Sequence, residues 1–353
     1  MKKFSSFVAL ALLCTMFTAC SNLKINRPAA EPSGTTADQT SGDASGSKKN
    51  DGANIEELEA AMDVQKYNAY VGLNNFMTGR LDQVLTDYFD KFGDEEQPVI
   101  DKNFSFTMLS ISSGDAKALE TQFGFADKAP AFPAIDPVVV RLKPAMNDLT
   151  AILSEAREYY KTKGYVDDHF AKAKEMHPKI VKAADAYYAV ADEYLKAMAG
   201  MGAERKKESL KKFQENDEQI RYGALKFLVD AQALSAEMEE QGVTAKNILD
   251  LDMEKFRAKY DPLVDDLKNL TQHAQDEKRL NKEKIESYTL NSYIEEAQKV
   301  KVAASDIIER VNKKRKVDEF DLKNRFFTEN QDGTPEKFEK MLRDAIQKYN
   351  RLK

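Results

Sequence analysis

The 353-residue chain contains only two cysteines, and both lie within its first twenty residues. Cys14 falls inside a short apolar run that we expect to be removed, and Cys20 follows that run directly. The rest of the chain therefore carries no thiol, although disulfides are a common device of secreted proteins. This absence excludes cysteine nucleophiles, thiolate metal sites and redox relays from the mature protein.

Other specialised chemistry is also scarce. The chain has three histidines and no tryptophan, and it contains no Gly-rich phosphate loop, Gly-x-Ser-x-Gly elbow or His-Glu-x-x-His motif. These absences indicate a protein that is not an enzyme of a common class and needs no cofactor, with hydrolysis kept as an alternative. The formal net charge is −6, and we expect no nucleic-acid partner because such binding requires a basic footprint.

The first nineteen residues have the layout of a secretory signal peptide. Two lysines precede an apolar run of about eleven residues, which is too short for a membrane-spanning helix of about 20. The sequence ending at Cys20 resembles a bacterial lipobox, although Phe17 stands where leucine is usual. That resemblance implies cleavage between Ala19 and Cys20, diacylglycerol on the Cys20 thiol and acylation of the new amino group.

A lipid anchor at Cys20 would set the location of the protein. Two or more acyl chains hold a protein stably on a membrane, since each buried methylene contributes about 0.8 kcal/mol. Ser21 follows the cysteine, and by resemblance to Gram-negative sorting signals it favours the outer membrane, facing the periplasm. In a Gram-positive source the same anchor would hold the protein on the cell membrane. Residues 20–53 are rich in Ser, Gly, Thr and Asp, which predicts a disordered tether.

Residues 54–353 are expected to fold as one all-α domain, an elongated antiparallel bundle of long hairpins. Apolar residues recur at spacings of three and four, and helix-favouring residues dominate. The pattern predicts helix ends at Gly93, Lys163-Gly164 and Gly242, and helix starts at Asp136-Pro137 and Thr334-Pro335. Gly200-Met201-Gly202 predicts a turn between two long arms.

Residues 94–135 interrupt this rhythm and predict an irregular insertion with one short helix near residues 115–122. Phenylalanine, glycine and proline are frequent there. One interpretation is an aromatic ligand-binding loop. The other, which we favour, is a flap whose phenylalanines cap the open end of the bundle.

Asp217 is a polar residue within an otherwise apolar helical stripe. If the hairpin reverses at residues 200–203, Asp217 lies opposite Tyr187 and accepts a hydrogen bond from its hydroxyl in a polar layer of the seam. His177 lies in the apolar stripe of the preceding arm, and we expect a packed, hydrogen-bonded side chain rather than a ligand.

His273, Asp276 and Glu277 are the weak candidates for a metal site, because the spacing places them near one helix face. A transition-metal site requires three or four converging ligands, and no second histidine-rich segment is present, so no metal site is expected. The basic cluster at residues 313–316 has two interpretations. It contacts anionic lipid headgroups or, as we favour, complements a helix dipole.

One stretch resembles a known family. Residues 158–177 and the last residues of the chain resemble the YiiG-type family of bacterial lipoproteins. The similar residues are Glu158-Tyr159-Tyr160, Tyr165, Asp167-Asp168, Phe170-Ala171-Lys172, Lys174 through His177, and the ending Tyr349-Asn350-Arg351-Leu352. The likeness runs loosely over residues 60–353. The family is one of unknown function, so the resemblance implies a lipoprotein but assigns no catalytic residue.

Two functions follow as hypotheses. The first is a non-enzymatic envelope protein that binds another protein or a cell-wall component through a helical surface. The alternative is a periplasmic protein that binds a small ligand or metal, with the 94–135 flap as lid and His273 as a ligand. A cavity beneath the flap would favour the alternative, and a solid core with an exposed apolar groove would favour the first.

Overall fold

The computed structural model describes residues 50–101 and 104–352, and this part of the chain is all-α with no strand. The all-α prediction is therefore confirmed. The expectations for the signal peptide, for Cys20 and for nearly all of the tether lie outside the described residues. None of the described helices is both long and apolar enough to cross a bilayer.

Twelve α-helices make up the described chain. They are α1 (Asn50–Asn75), α2 (Asp82–Phe92), α3 (Ser113–Phe123), α4 (Asp136–Lys161), α5 (Gly164–Asp168), α6 (Ala171–Glu215), α7 (Gln219–Glu240), α8 (Met253–His273), α9 (Glu277–Glu283), α10 (Ser287–Asn312), α11 (Arg325–Thr328) and α12 (Pro335–Tyr349). A π-helical segment, Phe76–Leu81, joins α1 to α2, and the 3₁₀ segments Ala245–Asp250 and Asp321–Lys323 lie in connections.

The described helices bury two separate hydrophobic cores. The first contains residues from Tyr67 to Met198, contributed by α1 to α4 and by the first part of α6. The second contains residues from Ile220 to Ile346, and Leu210 near the end of α6 packs against it. Helix α6 is thus shared by both cores, and its 45 residues extend about 67 Å.

The predicted turn at Gly200-Met201-Gly202 is wrong, because α6 continues through these residues. A glycine disfavours a helix by only about 1 kcal/mol relative to alanine, and strong helix formers lie on both sides. The chain reverses at residues 216–218 instead, where Asp217 adopts the left-handed conformation with φ 53°. The hairpin formed by α6 and α7 is therefore displaced by about four helical turns from its expected position.

Helix α7 is capped by a residue distant in sequence. Glu283 is buried, and its carboxylate accepts hydrogen bonds from the backbone N–H groups of Ile220 and Arg221, both at 2.9 Å. The Arg221 guanidinium donates to the Glu283 carbonyl oxygen at 3.0 Å. A negative group at a helix N-terminus satisfies donors that have no partner within the helix, so Glu283 fixes α9 against the α6–α7 turn.

The other predicted boundaries agree with the structure. The insertion contains one short helix, α3, which begins with a capping box formed by Ser112 and Asp115. Helix α4 starts at Asp136 with proline in its first turn, and α12 follows a Thr334 cap. Gly242 has φ 65° just after α7, as expected for a residue that ends a helix.

Candidate functional site

The flap at residues 94–135 closes one end of the first core. Phe123 and Phe132 are buried, and Phe104 and Phe106 pack against the aromatic rings of Phe92 and Tyr160. These side chains fill the end of the bundle, as the favoured interpretation of the insertion expected.

His177 is fully buried at the same end of the core, as predicted. Its Nε2 donates to the Glu95 carbonyl oxygen at 2.8 Å, and the Tyr88 hydroxyl lies 3.0 Å from Nδ1. Because a carbonyl only accepts, Nε2 carries the proton, and in the neutral ring the Nδ1 atom then accepts from the tyrosine hydroxyl. Burial lowers the pKa of His177 and outweighs the raising effect of the carbonyl. His177 is therefore a neutral structural histidine that ties α6 to α2 and the flap.

The stretch that resembles the YiiG-type family forms a structural corner between α4 and α6. The Tyr159 hydroxyl donates to the Asp168 carboxylate at 2.7 Å, and the other carboxylate oxygen accepts from the Lys172 backbone N–H at 3.0 Å. Side chains that carry the resemblance thus shape this corner.

Sequence reasoning missed a buried ion pair that fastens the flap. Lys66 is fully buried, and its Nζ donates to the Asp136 carboxylate and to the Lys128 carbonyl oxygen, each at 2.7 Å. The same carboxylate accepts from the Tyr70 hydroxyl at 2.5 Å and from the Phe132 backbone N–H at 2.8 Å. The two charged residues are far apart in sequence, so no local sequence pattern predicts the pair.

The predicted contact between Asp217 and Tyr187 is wrong. Tyr187 is buried in the first core, whereas Asp217 lies in the exposed turn after α6, roughly 45 Å away along the helix. Asp217 instead pairs with Lys282 at 2.8 Å and Arg279 at 3.2 Å. Hydrogen bonds from these two side chains lower the pKa of Asp217 to about 2.

The weak metal candidates do not share a helix face. Helix α8 ends at His273. The Asp276 carboxylate caps the next helix, α9, by accepting hydrogen bonds from the backbone N–H groups of Lys278 and Arg279. Within residues 50–101 and 104–352, no group of three His, Cys, Asp or Glu side chains is placed to hold a metal.

An open groove lies between the last third of α6 and α7, with a volume of about 530 Å³. We call it the α6–α7 groove. It is lined by apolar side chains of both helices: Ala203, Leu210, Tyr222, Val229, Ala233 and Ala236. On α7 these residues are spaced by seven, four and three, beside the fully buried seam that includes Ala224, Phe227, Ala231 and Leu234. Helix α7 therefore carries a second apolar seam that no described helix covers.

Four lysines also line the α6–α7 groove, and none of its lining residues in the described chain is acidic. Lys207 and Lys211 are exposed on α6, and Lys211 makes only a 3.7 Å contact with Glu215. Lys206 is buried and donates to the Gln232 amide oxygen at 2.6 Å. The groove thus combines an apolar floor with a cationic edge.

The fourth lysine, Lys226, joins the groove to a pair of half-buried carboxylates. Its Nζ lies 2.5 Å from Asp230 and 3.3 Å from Asp266 of α8. Burial, followed by the hydrogen bond with Asp230, raises the pKa of Asp266 to about 7. Burial alone would lower the pKa of Lys226, but the hydrogen bonds and charges of the two carboxylates raise it overall.

Chemically, the groove is suited to binding. A carboxyl that titrates near neutrality is a frequent mark of functional sites, but both carboxylates here hold Lys226, and no nucleophile is paired with them. An apolar floor with a few charged groups at its edge is the usual composition of a site for ligands or for an amphipathic helix.

Comparison with known proteins gives a family but no activity. Residues 61–351 match the model of a family described as a protein of unknown function, DUF3829. The chain is also similar to the uncharacterized protein YiiG of Escherichia coli (strain K12), with 26% identity over 180 residues, which cover 50% of this chain and 51% of that protein. The chain thus spans about half the length of this curated relative. No solved structure matches the chain.

Proposed function

The chain belongs to the DUF3829 family of unknown function, and from this premise we propose that it is a non-enzymatic lipoprotein of the cell envelope that binds a helical partner. Its anchor is the lipidated Cys20 and its place is the periplasmic face of the outer membrane, or the cell membrane in a Gram-positive source. The signal-like start and the lipobox support this placement.

One observation carries the binding role: α6 and α7 present a second apolar seam that is open to solvent. Along α6 the seam extends from Ala203 to Gln214 and along α7 from Tyr222 to Ala236, or about 16–21 Å. That length accommodates three to four turns of a third helix. Small side chains such as Ala233 and Ala236 allow close approach, and helices pack with axes about 8–10 Å apart.

The charge of the groove defines the chemistry of the partner. Lys207 and Lys211 flank the apolar floor on the α6 side. An amphipathic helix with an apolar stripe and acidic flanking residues would bury its stripe on the floor and pair its carboxylates with these lysines. We therefore propose an acidic amphipathic segment of another envelope protein as the partner.

The partner site can be tested by photo-crosslinking in intact envelopes. A photoreactive amino acid at Ala236 or Lys207 is expected to give a discrete protein adduct, and Lys207→Glu with Lys211→Glu should reduce the adduct formed at Ala236. A matched control position is the exposed Lys143 on α4. Equal adducts from Lys143, or none from the groove, would contradict the proposal.

The anchor is tested separately by cell fractionation. Cys20→Ala should abolish labelling by a radioactive fatty acid and the salt-resistant association of the protein with the membrane pellet. Retention of both properties in the variant would exclude lipidation at Cys20.

A small anionic ligand is the second candidate, because about 530 Å³ lies within the range of small-molecule sites. Native mass spectrometry of the protein purified from its own envelope separates the two candidates. A bound mass that disappears in Lys207→Glu with Lys211→Glu, without a protein adduct from Ala236, would favour the small ligand.

A further inference from the structure

The connection between α10 and α12 exposes three phenylalanines. Phe320 and Phe326 are 67% and 66% exposed, and Phe327 is 37% exposed. The ring of Phe327 lies 5.4 Å from that of Phe320 and 5.8 Å from that of Phe326, measured between centroids. The three rings therefore form one apolar patch, and exposed apolar patches mark contact surfaces more often than scattered single residues do.

A buried arginine fixes the base of this connection. Arg310 is 6% exposed, and its guanidinium donates to the carbonyl oxygens of Arg315, Lys316 and Asp332 at 2.6–3.2 Å. Val317 is buried in the second core. The aromatic patch is thus carried on a connection with a fixed base.

Four consecutive cations precede the patch. Residues 313–316 are Lys-Lys-Arg-Lys, and all four are exposed. Lys313 and Arg315 contact Glu309, so Lys314 and Lys316 are the cations directed to solvent without a carboxylate in that cluster. Residues 313–328 contain six basic and three acidic side chains, a charge of +3 within a chain of net charge −6. We call residues 313–328 the aromatic–basic loop.

We propose that the aromatic–basic loop is a contact site for a bilayer that contains anionic phospholipid. Aromatic rings partition to the interface between headgroups and acyl chains, and basic side chains beside them are attracted to anionic headgroups. The exposed phenylalanines distinguish this surface from the α6–α7 groove, whose lining has lysines at its edge but no phenylalanine. The inference rests on the loop alone and does not require the anchor at Cys20.

The absence of tryptophan from the chain allows a clean test. The full chain after the cleavage site, carrying Cys20→Ala to remove the acyl chains, receives Phe326→Trp as a fluorescent reporter. Its emission is expected to shift to shorter wavelength on addition of vesicles of phosphatidylcholine with phosphatidylglycerol, and salt should weaken the effect. Tyr288→Trp on α10 is the matched control, since Tyr288 is 85% exposed outside the loop and should show no shift.

Charge and aromatic variants separate the two parts of the contact. Lys314→Asn with Lys316→Gln is expected to weaken vesicle binding about 25-fold, from about fivefold for each charge near an anionic surface. Asparagine is chosen at residue 314 because Lys314 has φ 51°. Phe320→Ser should abolish most of the blue shift, whereas Lys143→Gln on α4 should leave binding unchanged.

Three outcomes would overturn the inference. The first is no shift of the Phe326→Trp reporter in a chain that circular dichroism shows to be folded. The second is equal binding to vesicles of phosphatidylcholine alone. The third is a protein adduct from a photoreactive residue at Phe320 without vesicle binding. Because the tested chain carries Cys20→Ala and is mixed with vesicles alone, these outcomes are independent of the anchor and of the helical partner.

Discussion

The closed end of the first core and the α6–α7 groove are both built from helices with apolar and charged residues, yet one is sealed and the other is open. At the closed end, the charge of Lys66 is buried and fully paired, and the aromatic rings of the flap fill the space. In the groove, Lys207 and Lys211 stand at the edge of an apolar floor that nothing described covers. Buried, satisfied polar groups indicate a structural role, and exposed charges beside an apolar seam indicate a binding role.

The largest expected effect breaks the closed end. Lys66→Met removes the buried cation and leaves the Asp136 carboxylate without its partner, so we expect a loss of about 3–5 kcal/mol in the free energy of unfolding. Denaturant titration measures the loss, with Lys207→Met in the groove as the control expected to change stability by less than about 0.5 kcal/mol. Equal effects of the two variants would remove the distinction between the regions.

Truncation of apolar side chains should give a smaller difference in the free energy of unfolding between the closed end and the groove. Phe106→Ala leaves a gap beside Phe92 and Tyr160, and a loss of about 2–3 kcal/mol is expected for this half-buried ring. Leu210→Ala in the groove should cost less than about 1 kcal/mol and yet reduce crosslinking from Ala236. If Leu210→Ala destabilises the fold as much as Phe106→Ala, the groove is part of the core rather than a binding surface.

The carboxylate pair beside the groove should make stability depend on pH. The pKa of Asp266 is raised to about 7 in the folded protein from an ordinary value of 3.8, so the unfolded chain releases this proton first. Stability then falls as pH rises from about 4 to 7. Asp266→Asn removes this dependence, and its advantage over the native protein should reach about 1–2 kcal/mol near pH 7. Thermal melts across this range check the slope, and parallel curves for the two proteins would contradict the assignment.

The opposite pH dependence, of smaller size, is expected at the closed end. Because burial lowers the pKa of His177, the unfolded chain binds the proton more readily, and stability falls as pH decreases below about 6.5. His177→Gln should lose that part of the acid sensitivity, at a cost of about 1–2 kcal/mol at pH 8 for the altered hydrogen bonds to Tyr88 and Glu95. Melting curves at pH 5 and pH 8 are the measurement. An unchanged acid slope in His177→Gln would show that other groups cause it.

Local patterns predicted most helices and one buried site. The helix starts at Asp136-Pro137 and Thr334-Pro335 and the packed role of His177 follow from caps and apolar spacing, which act over a few residues. Gly200 and Gly202 misled the sequence interpretation, because glycine weakens a helix without the steric conflict that proline introduces. The false contact of Asp217 followed directly from that error.

Local sequence patterns could not predict the α6–α7 groove or the buried ion pair, for different reasons. Lys66 and Asp136 are separated by 70 positions, and only the fold brings them together. The second seam on α7 has spacings of three and four when Lys226 is included. Because a charged residue in such a row usually indicates a helix face in contact with water, the pattern does not predict an apolar seam there. Recognition of the seam requires knowing which face of α7 lies beside α6, since α8 and α12 also pack against α7.

A continuous helix through both cores also has a mechanical consequence. The chain passes from the first core to the second along α6, with no loop between them. Because a helix is stiffer than a loop, we expect a displacement of the first core to be passed along α6 to the hairpin that carries the groove. On that expectation, a partner held in the groove moves with both cores rather than with the second core alone.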